Sequence, residues 1–328
     1  MTMDGGIAIV APYGGGWILE TLAREVEAHT RRRVRRITHA KGRTGEAVDE
    51  ALVCGASAIV FAHHIPFQHY VERGGTAHKI LFFGHYYEHP TFGDAPQVDT
   101  LAATLGQADR VWTNAALWDA WLTNLGVEPS RLKRIVRAVD SDVFRPAPSV
   151  VIRKRAVIGL ASQYHHRKNE AFILRAVERR RDVDWVLLGR GWEKGQVGLI
   201  ERAAGLPSFR YFDTTTFGFE AWPAFYRSLD FFLSPSFCEG GPFPMLEAMA
   251  SGVWPLCSRT GFAEDFIVQG EAGHVFDVDD DAAFDACLDA ALALHRDPNA
   301  LRATVAPWTW SRFGDSAAAD LEVLLGAV

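Results

Sequence analysis

Ser234–Gly252 reads SPSFCEGGPFPMLEAMASG. It has the form of a strand end, a glycine-containing turn and a short helix beginning near Phe243. In open α/β sheets ligands bind off the carboxyl ends of strands, at turns of this kind. A helix start offers unpaired N–H groups and the positive end of a macrodipole, which suits a diphosphate. Pro242 and Pro244 have no N–H to give, so the amides of Gly241, Phe243 and Met245 are the expected donors. Two carboxylates frame the turn, Glu239 in the loop and Glu247 on the helix. Glutamates so placed accept hydrogen bonds from the hydroxyls of a bound sugar and a bound ribose, and such charge-assisted bonds are roughly twice as strong as neutral ones. The plainer reading makes Glu239 a helix cap and Glu247 part of a solvated face.

Outward from this stretch, short apolar runs alternate with amphipathic stretches, the pattern of a parallel sheet covered by helices. Strands are expected at Gly5–Pro12, Ala56–Ala62, Lys79–Phe83 and Arg110–Thr113, then at Ala156–Leu160, Trp185–Gly189, Phe231–Ser234 and Val253–Ser258. Helices are expected at Trp17–Thr30, Glu170–Arg180, Phe243–Ala250 and Ser316–Leu325. The segment Asp140–Ser149 breaks the alternation with Pro146 and Pro148, which continue neither a helix nor a central strand. It reads as a linker.

At 328 residues the chain is too long for one hydrophobic core, so two domains are expected. The formal charge of −6 argues against a protein that coats nucleic acid. Cys54, Cys238, Cys257 and Cys287 are too scattered for a zinc pair or a redox dithiol, and read as buried thiols of a reducing compartment. The stretch before the first strand has no basic region followed by a long apolar run, so no signal peptide is expected; no apolar run approaches the ~20 residues of a membrane span, and a cytoplasmic location is expected.

With Glu239, Gly240, Pro244, Glu247, Ala248, Met249, Ala250 and Gly252 at these spacings, the segment resembles the signature of the retaining GT-B glycosyltransferases of family 4: Glu, seven residues, Glu, then Ala-Met-Ala. The resemblance implies an α/β fold of GT-B architecture, two Rossmann-like domains whose parallel sheets face a deep cleft. It implies that Glu239 binds donor-sugar hydroxyls and Glu247 the ribose, with the donor held mainly by the second domain. Gly159–Ala176 resembles that domain's first strand and helix, placing Arg167 and Lys168 at the diphosphate. Leu188-Gly189-Arg190-Gly191 resembles the next glycine turn, and Thr260–Glu264 a further turn. Val136–Pro146 resembles the approach to the linker, and Pro307–Arg312 with the last helix a segment that crosses back to the first domain. The implied domains are 1–145 on the acceptor side, 150–306 for the donor and 307–328 crossing back.

Two departures stand out. Relatives carry an arginine just after the first donor-domain strand, where this chain has Leu160, Ala161 and Ser162. A diphosphate short of one cation loses charge stabilisation as the sugar departs, which leaves Arg190 or Arg167 as substitute. The turn at Gly261-Phe262 also lacks a preceding second glycine.

In the first domain, Gly15 and Gly16 of Pro12–Gly16 would let a donor phosphate or an acceptor approach the backbone closely. His85 falls after a strand, where the family places a histidine near the transferred sugar. His63 and His64 are acceptor-side candidates. With His69, His89, His165 and His166 they show no spacing that demands a metal. The clusters Arg31–Arg36 and Arg179–Arg181 read as solvated helix ends, or, more sharply, as a peripheral contact with the inner face of a membrane that would suit a lipid-linked acceptor.

The resemblance thus implies retaining transfer of a sugar from a nucleotide-diphosphate donor, a UDP-sugar by family frequency, to a hydroxyl of a glycan, a lipid-linked or a small-molecule acceptor. Glu239, His85 and Lys168 would be catalytic, and no metal or cofactor is needed. Two alternatives stay open: a nucleotide-binding protein of this fold without turnover, and a GT-B nucleotide-sugar epimerase.

Overall fold

The computed structural model describes residues 6–12, 18–40, 43–82, 102–135, 137–148, 153–215 and 218–326. The chain forms two compact units, Met1–Ala138 with Trp310–Val328, and Val139–Thr309.

The first unit is built on a parallel sheet of strands β1 (Ile7–Pro12), β2 (Val34–His39), β3 (Ala58–Phe61), β4 (His78–Phe82), β5 (Arg110–Thr113) and β6 (Leu132–Arg134). Their order across the sheet is β2-β1-β3-β4-β5-β6. Central strands of such a sheet are covered on both faces, so they read as unbroken apolar runs; β1 (IAIVAP) is buried along its whole length. The helix Ile18–His29 buries Leu22, Ala23 and Val26, and the terminal helix Trp310–Leu325 brings Phe313, Ala317 and Leu321 into the same core. That helix starts at Trp310, ahead of the expected Ser316, and Gly314 in its second turn lets it close on the His29 ring, which any side chain there would strike. Its Asp320 is buried, accepts the Trp112 indole N–H at 2.7 Å and pairs with Arg110 at 3.2 Å.

The basic stretch Arg31–Arg36 is not a helix end. Val34–His39 is strand β2, paired along its length with β1. Its charges hid it from sequence reading: as an edge strand it buries only Ile37 and His39. Arg32 pairs with Glu322, Arg35 with Glu50 and Arg36 with Glu27, so these charges are matched within the protein.

The second unit carries β7 (Val157–Ala161), β8 (Asp184–Gly189), β9 (Phe209–Asp213), β10 (Phe231–Ser234), β11 (Trp254–Ser258) and β12 (His274–Phe276). The order is β12-β11-β10-β7-β8-β9, all parallel. The chain runs outward from β7 through β8 and β9, then returns to β7's other side with β10. The order therefore reverses between β7 and β10, and the crevice at that switch point is where sheets of this kind take ligands. Residues 140–148 of the expected linker belong to this unit: Asp140 accepts the N–H groups of Asp142 and Val143 at 3.1 Å each, and Phe144 is buried. Arg179 and Arg180 pair with Asp281, Asp285 and Asp289 on the helix Asp281–Ala293, and Arg181 donates to the Glu178 carbonyl at 3.0 Å. No helix among the described residues is long and apolar enough to cross a membrane.

Candidate functional site

Both walls of the crevice between β7 and β10 are shaped by local sequence. After β7, a 3-10 turn His166–Lys168 leads into the helix Glu170–Arg179. His165 Nδ1 accepts the Arg167 N–H at 3.3 Å, and Asn169, left-handed at φ +56°, caps the helix by accepting the Phe172 N–H at 3.2 Å. These caps fix Arg167 and Lys168 at the crevice. Gly189 at the end of β8 is needed here, because a side chain would collide with the Ser162 carbonyl.

After β10, the loop Pro235–Pro242 carries Glu239 to the same point. Its carboxylate is 3% exposed and holds two cations: Arg167 Nη1 at 2.5 Å and Lys168 Nζ at 2.5 Å. The Ser236 hydroxyl donates to the same carboxylate at 2.7 Å, and the Glu239 N–H donates to Thr260 Oγ1 at 2.8 Å. Ser258 donates to the Ser236 carbonyl at 2.6 Å, and the Phe237 N–H to the Arg167 carbonyl at 2.8 Å. Gly261 (φ +57°) completes the packing: a Cβ there would lie 3.1 Å from both Glu239 Cβ and the Glu239 carbonyl oxygen.

Burial alone would raise the Glu239 carboxyl, but Arg167, Lys168 and the Lys168 and Ser236 hydrogen bonds hold it down to about 2. Lys168 is lowered to about 8, by burial and by Arg167, with Glu239 opposing. Two cations against one carboxylate leave one positive charge in excess, held off water at the switch point. That excess is what a diphosphate needs. A small cavity opens beside it, bordered by Ser162, Lys168, Ser234, Ser236 and Pro242. A larger one, about 420 Å³, lies against β8 and β9 among Val186, Leu188, Phe212 and Phe225; its lining is mostly apolar and includes none of the charged cluster.

The helix Phe243–Ala250 forms as expected, but two of its three expected donor amides are engaged. The Phe243 N–H donates to the Gly241 carbonyl at 2.9 Å and the Met245 N–H to the Pro242 carbonyl at 2.8 Å, because the two prolines tighten the turn onto its own carbonyls. Gly241 keeps its amide without such a bond among the described residues. Glu239 is not a helix cap, since its carboxylate turns to the cations instead. Glu247 accepts the Tyr226 hydroxyl at 2.6 Å, and burial raises its carboxyl to about 7 against the pull of that bond. Arg190 is exposed, and its guanidinium donates to Gln163 at 3.0 Å, in the loop that follows β7.

Gly15, Gly16 and His85 lie outside the described residues, as does His89. His63 caps the helix His64–Glu72 by accepting the Ile65 N–H, and burial together with His64 and His39 lowers it to about 3. Sequence reading missed Ser236, Thr260 and Tyr226. Hydroxyls are common in loops and helices, and only the folded chain shows that these three meet Glu239 and Glu247.

Residues 155–294 match the family model described as "Glycosyl transferases group 1". The whole fold is that of GT-B glycosyltransferases. Solved structures similar to this chain include Anabaena HepE in complex with UDP and glucose, at 13% identity over 98% of this chain and 100% of that one, with a TM-score of 0.76. Sucrose-phosphate synthase from Thermosynechococcus elongatus matches at 14% identity over 98% and 96%, with a TM-score of 0.70. The lipopolysaccharide outer core galactosyltransferase WaaB matches at 10% over 96% and 99%, also at 0.70. No curated protein matches the chain.

Proposed function

We propose that this protein is a retaining, family 4-like glycosyltransferase that moves a sugar from a UDP-sugar to a hydroxyl of a glycan, lipid-linked or small-molecule acceptor on the cytoplasmic side. The observation that carries the reading is the cluster of Glu239, Arg167 and Lys168 at the switch point of the second unit. HepE, of the same fold, was solved with UDP and glucose, which supports the choice of donor.

In this reading the diphosphate takes Lys168 and Arg167 from Glu239, with Arg190 filling the place of the missing arginine. Gly240 and the amide of Gly241 line the phosphates. Glu239, released, accepts hydroxyl hydrogen bonds from the sugar, and Glu247 takes the ribose. Gly15 and Gly16 serve the donor phosphates and His85 the transferred sugar. The bond from the anomeric carbon to the diphosphate oxygen breaks. The acceptor oxygen bonds to that carbon on the same face, and its proton passes to the leaving oxygen. The cations stabilise the charge that grows there, so no resident metal is required.

The test is turnover of UDP-glucose, UDP-galactose and UDP-N-acetylglucosamine, read as UDP release with and without an acceptor panel, in buffer containing EDTA. Product of the donor's anomeric configuration is expected, and inverted product would refute the retaining assignment. Nucleotide binding with neither hydrolysis nor transfer would favour the binding protein without turnover, the reading that the missing arginine motivates.

A further inference from the structure

We propose that Tyr226 is a positioning residue for Glu247: its hydroxyl occupies one carboxylate oxygen and presents the other to the ribose. This rests on the reading that Glu247 takes the ribose. Tyr226 sits on the helix Trp222–Arg227, fully buried, and its hydroxyl donates to Glu247 Oε2 at 2.6 Å. The ring is locked from two sides, edge-on to Phe144 at 5.6 Å and tilted on Phe232 of β10 at 6.1 Å. A phenol held so firmly has one place to put its proton, so the carboxylate is oriented before a ligand arrives.

The same contact sets the carboxylate's acceptor strength. Burial, and then the Glu247 charge, raises the Tyr226 hydroxyl well above its ordinary value, so it remains a donor throughout the physiological range. Burial pushes the Glu247 carboxyl up and the tyrosine bond pulls it down. Without the hydroxyl the carboxyl is more often protonated and less able to accept from a vicinal diol. An ionised carboxylate has about four acceptor sites, so one bond to tyrosine leaves room for both ribose hydroxyls.

Tyr226→Phe removes one oxygen and keeps the ring. Calorimetric titration is run with the tightest-binding of UDP, GDP and ADP, and with its 2′,3′-dideoxy counterpart. In the wild type the ribose form is expected to bind more tightly. In Y226F the ribonucleotide should weaken about tenfold, the equivalent of one hydrogen bond to a charged group, while the dideoxy form is unchanged. Equal weakening of both nucleotides would mark a structural role, and a ribose preference that survives the substitution would remove the tyrosine from recognition; either overturns the inference alone. A wild type that binds none of the three nucleotides, or does not distinguish ribose from dideoxyribose, overturns the ribose reading of Glu247 and this inference with it.

Discussion

Glu239→Gln keeps the size of the side chain and removes its charge. In the wild type the carboxylate faces Arg167 and Lys168 at 2.5 Å each, and is lowered from 4.5 to about 2. At about 1.4 kcal/mol per pH unit, this corresponds to about 3 kcal/mol of folding stability at neutral pH, within the range for breaking a buried ion pair. Because the folded value is depressed, the contribution is fully present above pH 4.5 and is lost as pH falls through about 2. The variant should therefore melt several degrees lower at pH 7, and the gap should close in acid. Its affinity for UDP should move the other way. With the carboxylate gone, the diphosphate no longer competes for Arg167 and Lys168, and removing that competition by about 1.4 kcal/mol gives a tenfold gain. Lys168, already lowered to about 8, loses the charge that raised it, so binding should draw up a proton at pH 7. Calorimetry in two buffers of different ionisation enthalpy reads affinity and proton uptake together, and transfer should be lost. UDP binding that weakens in E239Q would refute the reasoning, because Glu239 would then be helping the nucleotide rather than holding its cations.

Three further outcomes follow from the same geometry. UDP affinity of the wild type should decline as pH rises through about 8, as Lys168 loses its proton, and Lys168→Met should flatten that limb of the pH profile measured by titration. Gly261→Ala places a strained Cβ 3.1 Å from Glu239 and should cut turnover at least about tenfold with a melting loss of about 1–3 kcal/mol; unchanged kcat would refute the close-approach argument. Asp320→Ala strips Arg110 and Trp112 of their buried partner and should cost about 3–5 kcal/mol in chemical denaturation, whereas a loss under about 1 kcal/mol would mean that the terminal helix does not brace the first unit.

The sequence carried most of the second unit in plain view. The strand Phe231–Ser234 is a short apolar run, and the helix Phe243–Ala250 is an apolar stretch broken only by Glu247, each bounded by turn residues, and those signals are local. The edge strand β2 was hidden because an edge can carry arginines, and β12 because three residues are too few to show a period. Glu239 and Glu247 could be named from the turn they frame, since residue type and separation along the chain are properties of the sequence, whereas Arg167 and Lys168 could be named only through the resemblance to a family. Their partnerships could not. Tertiary structure alone placed Arg167 and Lys168 on Glu239 across a separation of some seventy residues, by setting β10 beside β7. It also gave Glu247 its tyrosine and closed the amides of Phe243 and Met245 onto their own turn. The physical reason is the same in each case. A chain fixes which groups it carries, but a charge buried among others has its partner, its proton and its reach decided by which strands lie side by side.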